Sequence, residues 1–257
     1  MSSPKYAPNQ TNHSSQSPAL CEFLSWDSDF FGFKIARVQR DRLNPTLLRE
    51  VEAWCHENAI RCLYLLASSD CHETARLASL GGFTLVDVRL RLDREIMAPL
   101  PPAAPSRHTI REAVPDDVAK LCDIAATAHV TSRFHFDPGF APARAADLYR
   151  VWIQKECGGE ADVVWVFESS SEAGGYLSCK LSSDGTICRL GLLGVRSDLR
   201  GGGAAPALLK RALEWAHHRG AGRCEVITQG RNIAAQRVYA EVGFKPADMH
   251  IWWHKWF

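Results

Sequence analysis

A chain of 257 residues, 46% hydrophobic and 23% charged, has the makeup of a globular protein and room for two modest domains. Its formal net charge of +1 excludes a whole-molecule field that would gather nucleic acid or an anionic membrane, which leaves a small molecule as the expected partner. Nine cysteines, an odd count without a CxxC pair, argue for reduced thiols in a cytoplasm and give a metal no ligand spacing, so no metal is expected.

Residues 1–19 are rich in Ser, Asn, Gln and Pro, lack the apolar core of a signal peptide and read as a disordered tail. No later apolar run reaches membrane-spanning length. From 20 to 97 the pattern is strand, helix, strand, helix, strand. Lys34–Gln39 is β-like, and Asn44 opens a helix with Pro45 in its first turn and Leu47, Leu48, Val51 and Trp54 on one face. Leu63–Leu66 is a short buried strand, Glu73–Leu80 a helix stopped by Gly81-Gly82, and Phe83–Leu92 an alternating strand. Four prolines within Ala98–Pro105 then mark 98–107 as a linker.

The segment 108–257 opens with a strand at Thr109–Ala113, a helix from Asp116 to about His129 and another from about Ala143 to Cys157. Val163–Phe167 is a strand, and Gly174–Leu181 and Thr186–Val195 pair as a hairpin around Ser183-Asp184-Gly185. After a glycine cluster, Ala205, Leu208, Leu209, Ala212, Leu213 and Ala216 share a helix face opposite Lys210, Arg211, Glu214, His217 and His218. Cys224–Thr228 is a strand, Ile233–Val242 a helix and Met249–Phe257 an aromatic-rich last strand. Glu73–Phe83 echoes Ala234–Phe244, each a helix that ends at Gly-Phe, with Cys71 opposite Asn232 and Ala78 opposite Tyr239. The first half has no glycine-rich loop and therefore reads as a partial, non-catalytic copy.

The chemistry concentrates between Leu190 and Leu209, where a strand end, a short turn and three glycines lead straight into an amphipathic helix. The first amides of a helix have no internal partner, and the helix dipole adds partial positive charge there. Glycines let that backbone approach a phosphate, so the segment is a pyrophosphate cradle. Neither GxGxxG nor the Walker lysine occurs, which fits dinucleotide and nucleoside-triphosphate folds poorly.

The spacing Arg200-x-x-Gly203-x-Ala205 resembles the pyrophosphate loop of the GNAT acetyltransferase superfamily, and Asn232–Tyr239 followed by Gly243-Phe244 resembles its second cofactor segment. The resemblance implies an α/β GNAT fold, a mixed central sheet flanked by helices, preceded by a smaller truncated GNAT-like half, non-catalytic, at 20–97. It implies acetyl-CoA as cosubstrate and direct attack by an amine. Main-chain groups from Leu193 to Val195 should bond the pantetheine arm. The amides of Gly201, Gly202, Gly203, Ala204 and Ala205 should hold the pyrophosphate, with Arg200 shaping the loop. Asn232 should meet the cofactor, and Tyr239 matches the family's usual proton donor to the leaving thiolate. Pro206 departs from the pattern by removing one early helix donor. No residue stands out as the general base: His135 and Asp137 are candidates, and water is a third.

Phe23–Gly32 and Ser132–Pro138 resemble the TDP-fucosamine acetyltransferase group of that superfamily. This implies a nucleotide-linked amino sugar as acceptor, with Arg133 as a donor to its phosphates. Another small amine or peptide terminus, or a non-catalytic CoA-binding regulatory module, stays open, as does a homodimer.

Overall fold

The computed structural model describes residues 19–96 and 109–257. The expected tail at 1–19, save Ala19, and the expected linker at 98–107 lie outside the described residues. In chain order the elements are β1 Cys21–Phe23, α1 Ser25–Phe31, β2 Ile35–Val38, α2 Pro45–Glu57, β3 Cys62–Ser68, α3 His72–Leu80 and β4 Thr84–Glu95. There follow β5 Ile110–Glu112, α4 Val118–Ala128, α5 Arg133–Phe136, α6 Pro142–Lys155, β6 Val163–Ser169, β7 Glu172–Leu181 and β8 Ile187–Val195. The chain closes with α7 Ala204–His218, β9 Arg223–Gln229, α8 Ile233–Glu241 and β10 Lys245–Trp256. The short β1, α1 and α5 were not expected, because three to seven residues carry too little periodicity to be read without their tertiary partners.

Two compact units result, one running to Val88 and including Met249–Phe257, the other spanning Arg89–Asp248. The boundary between these units falls within β4, ahead of the expected linker at 98–107. The reason is strand length. The outer half of β4, Arg89–Glu95, pairs antiparallel with β9, while His250–Trp256 of β10 pairs antiparallel with β3.

In the first unit, β2 and β3 run parallel, joined by α2, with β1 and the end of β10 antiparallel at either side. Helix α2 starts where Asn44 Oδ1 accepts the Leu47 amide at 2.8 Å, with Pro45 at a position that needs no donor. Val51 and Cys55 of α2, Leu77 and Ala78 of α3, and Leu63 and Leu65 of β3 close one core with Trp253. The Phe23–Gly32 motif is architectural: Trp26 stacks on Phe30 at 5.1 Å, and the buried Ser28 hydroxyl donates to Leu24 O and accepts from Ile35 N.

In the second unit the sheet order is β4–β9–β8–β7–β6–β5, antiparallel throughout except for the β9–β8 pair. Leu208, Leu209, Ala212, Leu213 and Ala216 of α7 pack on Trp165, Leu177, Cys179, Cys188 and Leu190. Because strand side chains alternate, Tyr176 and Ser178 point to the other face, where α4 and α6 lie. The helix-end echo is real at the level of hydrogen bonds: Phe83 N donates to Ala78 O and Phe244 N to Tyr239 O, both at 2.9 Å.

Candidate active site

The parallel pairing of β8 with β9 runs from Ile187↔Arg223 to Leu190↔Val226 and stops. Beyond it β8 continues to Val195, still paired with β7 through Leu177↔Leu193 and Gly175↔Val195. The sheet is therefore split on one side of Gly191–Val195, and that edge of β8 can receive an extended chain. A bulge marks the split: Leu177 faces Leu193 but Cys179 faces Leu190, so Gly191 and Leu192 together stand opposite Ser178. The Leu192 amide is taken by the Ser178 hydroxyl at 2.8 Å.

Past Val195 the chain makes one 3₁₀ turn at Ser197–Leu199 and enters the glycine segment. Arg200 Nε donates to Val195 O at 3.1 Å and ties the loop to the strand end. Gly203 is the N-cap of α7 with φ +85°, left-handed, and no side chain caps the helix. That φ requires glycine, and no atom lies within 4 Å of where its Cβ would be. Gly201, Gly202 and Gly203 are exposed, Ala204 is buried as the helix's first anchor, and Pro206 sits at the third helical position. The amides at this end have the uncapped geometry that suits an anion.

Helix α8 follows β9. Its N-cap, Asn232, accepts the Ala235 amide through Oδ1 at 3.2 Å, so this side chain is first a helix cap. Two turns on, Tyr239 is 4% exposed, packs edge-on to Phe244 at 5.7 Å and belongs to the same cluster as Leu193, Val195 and Ala204. Burial pushes its hydroxyl well above the usual tyrosine range, so it stays protonated.

On the α4–α6 face, Arg133 is buried with its guanidinium over the Phe134 ring at 4.2 Å. The single turn of α5 thus holds the expected phosphate donor against an aromatic ring. Phe136 is 53% exposed and lies under the Arg231 guanidinium at 3.9 Å. Asp137 is buried and accepts the Gly139 amide at 2.9 Å, a turn-forming role. His135 bonds the Ser132 hydroxyl at 3.0 Å and stacks on Tyr149, and burial lowers its affinity for a proton.

Three polar groups on this face went unread in the sequence. His129 Nε2 bonds the Tyr176 hydroxyl at 2.9 Å and its ring stacks on Tyr149 at 4.5 Å. Burial, with smaller contributions from His135 and Arg200, pushes the His129 imidazole down to about 3 and keeps it neutral. Glu156 ends α6, with Oε1 accepting from Trp152 Nε1 at 2.9 Å. Its signal was present: Tyr149, Trp152, Ile153 and Glu156 share a helix stripe, so a carboxylate falls on the apolar face.

A family model described as Acetyltransferase (GNAT) family matches residues 127–244, the span that holds the split strands, the cradle and α8. The dTDP-fucosamine acetyltransferase of Escherichia coli O6:H1 is 30% identical over 240 residues, covering 92% of this chain and 98% of that protein. This chain belongs to the GNAT acetyltransferase family. As a GNAT protein it is an N-acetyltransferase, and the cosubstrate of its family is acetyl-CoA. The spore coat polysaccharide biosynthesis protein SpsD of Bacillus subtilis is 28% identical over 142 residues, 55% of this chain and 48% of that protein. A GCN5-related N-acetyltransferase structure from Sphaerobacter thermophilus shares the fold at a TM-score of 0.65 and 19% identity, covering 92% of this chain and 76% of the other. The GNAT fold is thus that of a mixed α/β sheet flanked by helices, with a smaller α/β unit ahead of it. Among the described residues no group of three or more His, Cys, Asp or Glu is arranged to hold a metal, and no helix is long and apolar enough to cross a membrane.

Proposed function

We propose that this GNAT enzyme moves the acetyl group of acetyl-CoA to the amine of a nucleotide-linked amino sugar. The observation that carries acetyl-CoA is the split edge of β8 from Gly191 to Val195, which runs directly into the uncapped amides of Gly201–Ala205. In this reading the main chain at Leu193 and Val195 pairs with the pantetheine arm as a neighbouring strand would. Gly201, Gly202, Gly203, Ala204 and Ala205 receive the pyrophosphate, and Arg200 holds the loop against Val195. Asn232 sets the start of α8 beside the cofactor. The Tyr239 hydroxyl gives its proton to sulfur as the C–S bond breaks; a hydrogen bond to the developing negative charge lowers the barrier even though the phenol's ordinary pKa of about 10 exceeds the thiol's of about 8.5.

The acceptor class rests on the near full-length similarity to a protein named dTDP-fucosamine acetyltransferase. With Arg133 turned inward, the cation suited to a diphosphate beside the acceptor segment is Arg231, and exposed Phe136 under it offers a face for a sugar or base. The test is acetyl-CoA-dependent acetylation of dTDP-fucosamine, followed by release of CoA. Free dTDP should compete with the acceptor, and Arg231→Ala should lose that competition while CoA affinity holds. If dTDP never competes, the nucleotide-sugar acceptor is wrong.

A further inference from the structure

Three features of the second unit coincide where β8 leaves β9. The bulge at Gly191–Leu192 widens the strand opposite Ser178, one residue past the last β9 pair at Leu190. Helix α6 does not end in an ordinary turn but in a wide π-type turn, Glu156–Glu160, closed by Gly159 at φ +105°. Such turns are rare and gather at functional positions. This one delivers a carboxyl to the bulge: a Cβ on Gly191 would stand 2.9 Å from Glu156 Oε1 and collide with the Ser178 hydroxyl. Only glycine admits that approach, and Gly191 itself is exposed.

The carboxyl is held by one oxygen. Trp152 Nε1 donates to Oε1, whereas Oε2 is enclosed without a hydrogen-bond partner. An enclosed, unpaired carboxylate oxygen is costly, and a fold keeps one where chemistry uses it. The titratable groups that act on it are Glu160 and Cys157 on its own turn and Tyr176 and Cys179 on β7. None of these is a cation that would hold it as a spectator ion pair. Burial leads the Ser178 and Trp152 hydrogen bonds and lifts the carboxyl to about 7, a proton affinity matched to work near neutral pH.

We propose that Glu156 takes the proton that the acceptor's ammonium group must lose, through a water on the exposed face of Gly191. This role rests on the acetyl transfer proposed above. Glu156 accepts one proton, which later leaves to solvent, and the nitrogen lone pair forms the C–N bond at the thioester carbonyl. Collapse breaks the C–S bond, Tyr239 protonates sulfur, and the second nitrogen proton restores Tyr239 through solvent. The balance is one ammonium and one thioester in, one amide, one thiol and one proton out.

The test is the pH dependence of kcat/KM with acetyl-CoA and dTDP-fucosamine for the wild type, Glu156→Gln and Glu156→Asp, with CoA affinity by calorimetry and thermal melting as controls. The wild type should lose activity below about pH 7. Glu156→Gln should fall on the order of a hundred- to ten-thousandfold, with that acidic limb gone and CoA affinity kept. Glu156→Asp, a shorter carboxylate, should recover part of the activity and the limb. An active wild type with Glu156→Gln equal to it in rate and acidic limb overturns Glu156 alone. A wild type that acetylates no dTDP-fucosamine overturns the acceptor, and this role with it.

Discussion

In the proposed reaction one environment, burial, serves the two opposite proton tasks given to Tyr239 and Glu156. Burial keeps the Tyr239 hydroxyl protonated against Phe244, as the proposed donor must be, and lifts the Glu156 carboxyl to about 7, where the proposed acceptor can work near neutral pH. Tyr239→Phe preserves the ring packing, so CoA affinity should hold while turnover falls roughly ten- to a thousandfold. Wild-type turnover in that variant, with chemistry rate-limiting, would reduce Tyr239 to packing. Glu156 also carries a stability signature. Its proton affinity rises from 4.5 to about 7 on folding, so its contribution is complete below pH 4.5 and is lost as pH climbs through 7. Above that range the charged carboxylate costs about 3 kcal/mol, by the conversion of about 1.4 kcal/mol per pKa unit. Glu156→Gln carries no such charge, so its melting temperature should gain on the wild type from about pH 5 to pH 7 and hold that gain at pH 8. A difference that ignores pH would mean that Glu156 is not buried as a carboxyl.

At the scale of elements, the cradle depends on where α7 begins, and the two ends of that helix supply their own control. Gly203 at its start and Gly220 just past its end both have φ +85° with open space around the missing Cβ. An L-residue at either position pays about 1 kcal/mol or more for the left-handed backbone. Only Gly203 stands at the positive end of the helix dipole, where an anion is expected. Gly203→Glu should therefore lose CoA binding more than tenfold by calorimetry, whereas Gly220→Glu should lose stability and keep affinity. Equal affinities in the two folded variants would place the pyrophosphate elsewhere. Helices α3 and α8 make a similar comparison within one chain. They share the closing bond into Gly-Phe, yet Asn232 caps α8 while Cys71 gives α3 no side-chain cap, and Ala78 stands where α8 has Tyr239. The shared residues are those that end a helix, and the differing ones are those to which the proposed mechanism gives a role.

For the whole molecule, long strands tie the ends of the sequence into units that sequence order does not suggest. A chain ending at Asp248 lacks His250–Trp256, so β3 loses an antiparallel partner and the first core loses Trp253. Deleting a buried Trp side chain alone costs about 3–5 kcal/mol, against a typical domain stability of about 5–15 kcal/mol. A chain of residues 108–257 lacks Arg89–Glu95 and leaves β9 with an open edge. Both truncations should be insoluble or unfolded by circular dichroism. Cooperative folding and full CoA affinity in the 108–257 chain would show that β9 needs no such partner.

What the sequence determined by itself was local: the helix start at Asn44-Pro45, the amphipathic face of α7, the Ser183-Asp184-Gly185 hairpin and the glycine-rich entry to α7 from Arg200 to Ala205. Each follows from periodicity or turn chemistry within a few residues, which is why it could be read without partners. The tertiary structure decided the rest. Where β8 parts from β9, which way the single turn of α5 aims Arg133, and how Glu156 comes against Gly191 all depend on pairings between segments far apart in the chain. Glu156 could be seen on the apolar stripe of α6, but only what encloses it raises the proton affinity of its carboxyl. Local patterns choose elements; the desolvation that sets their chemistry comes from what packs across them.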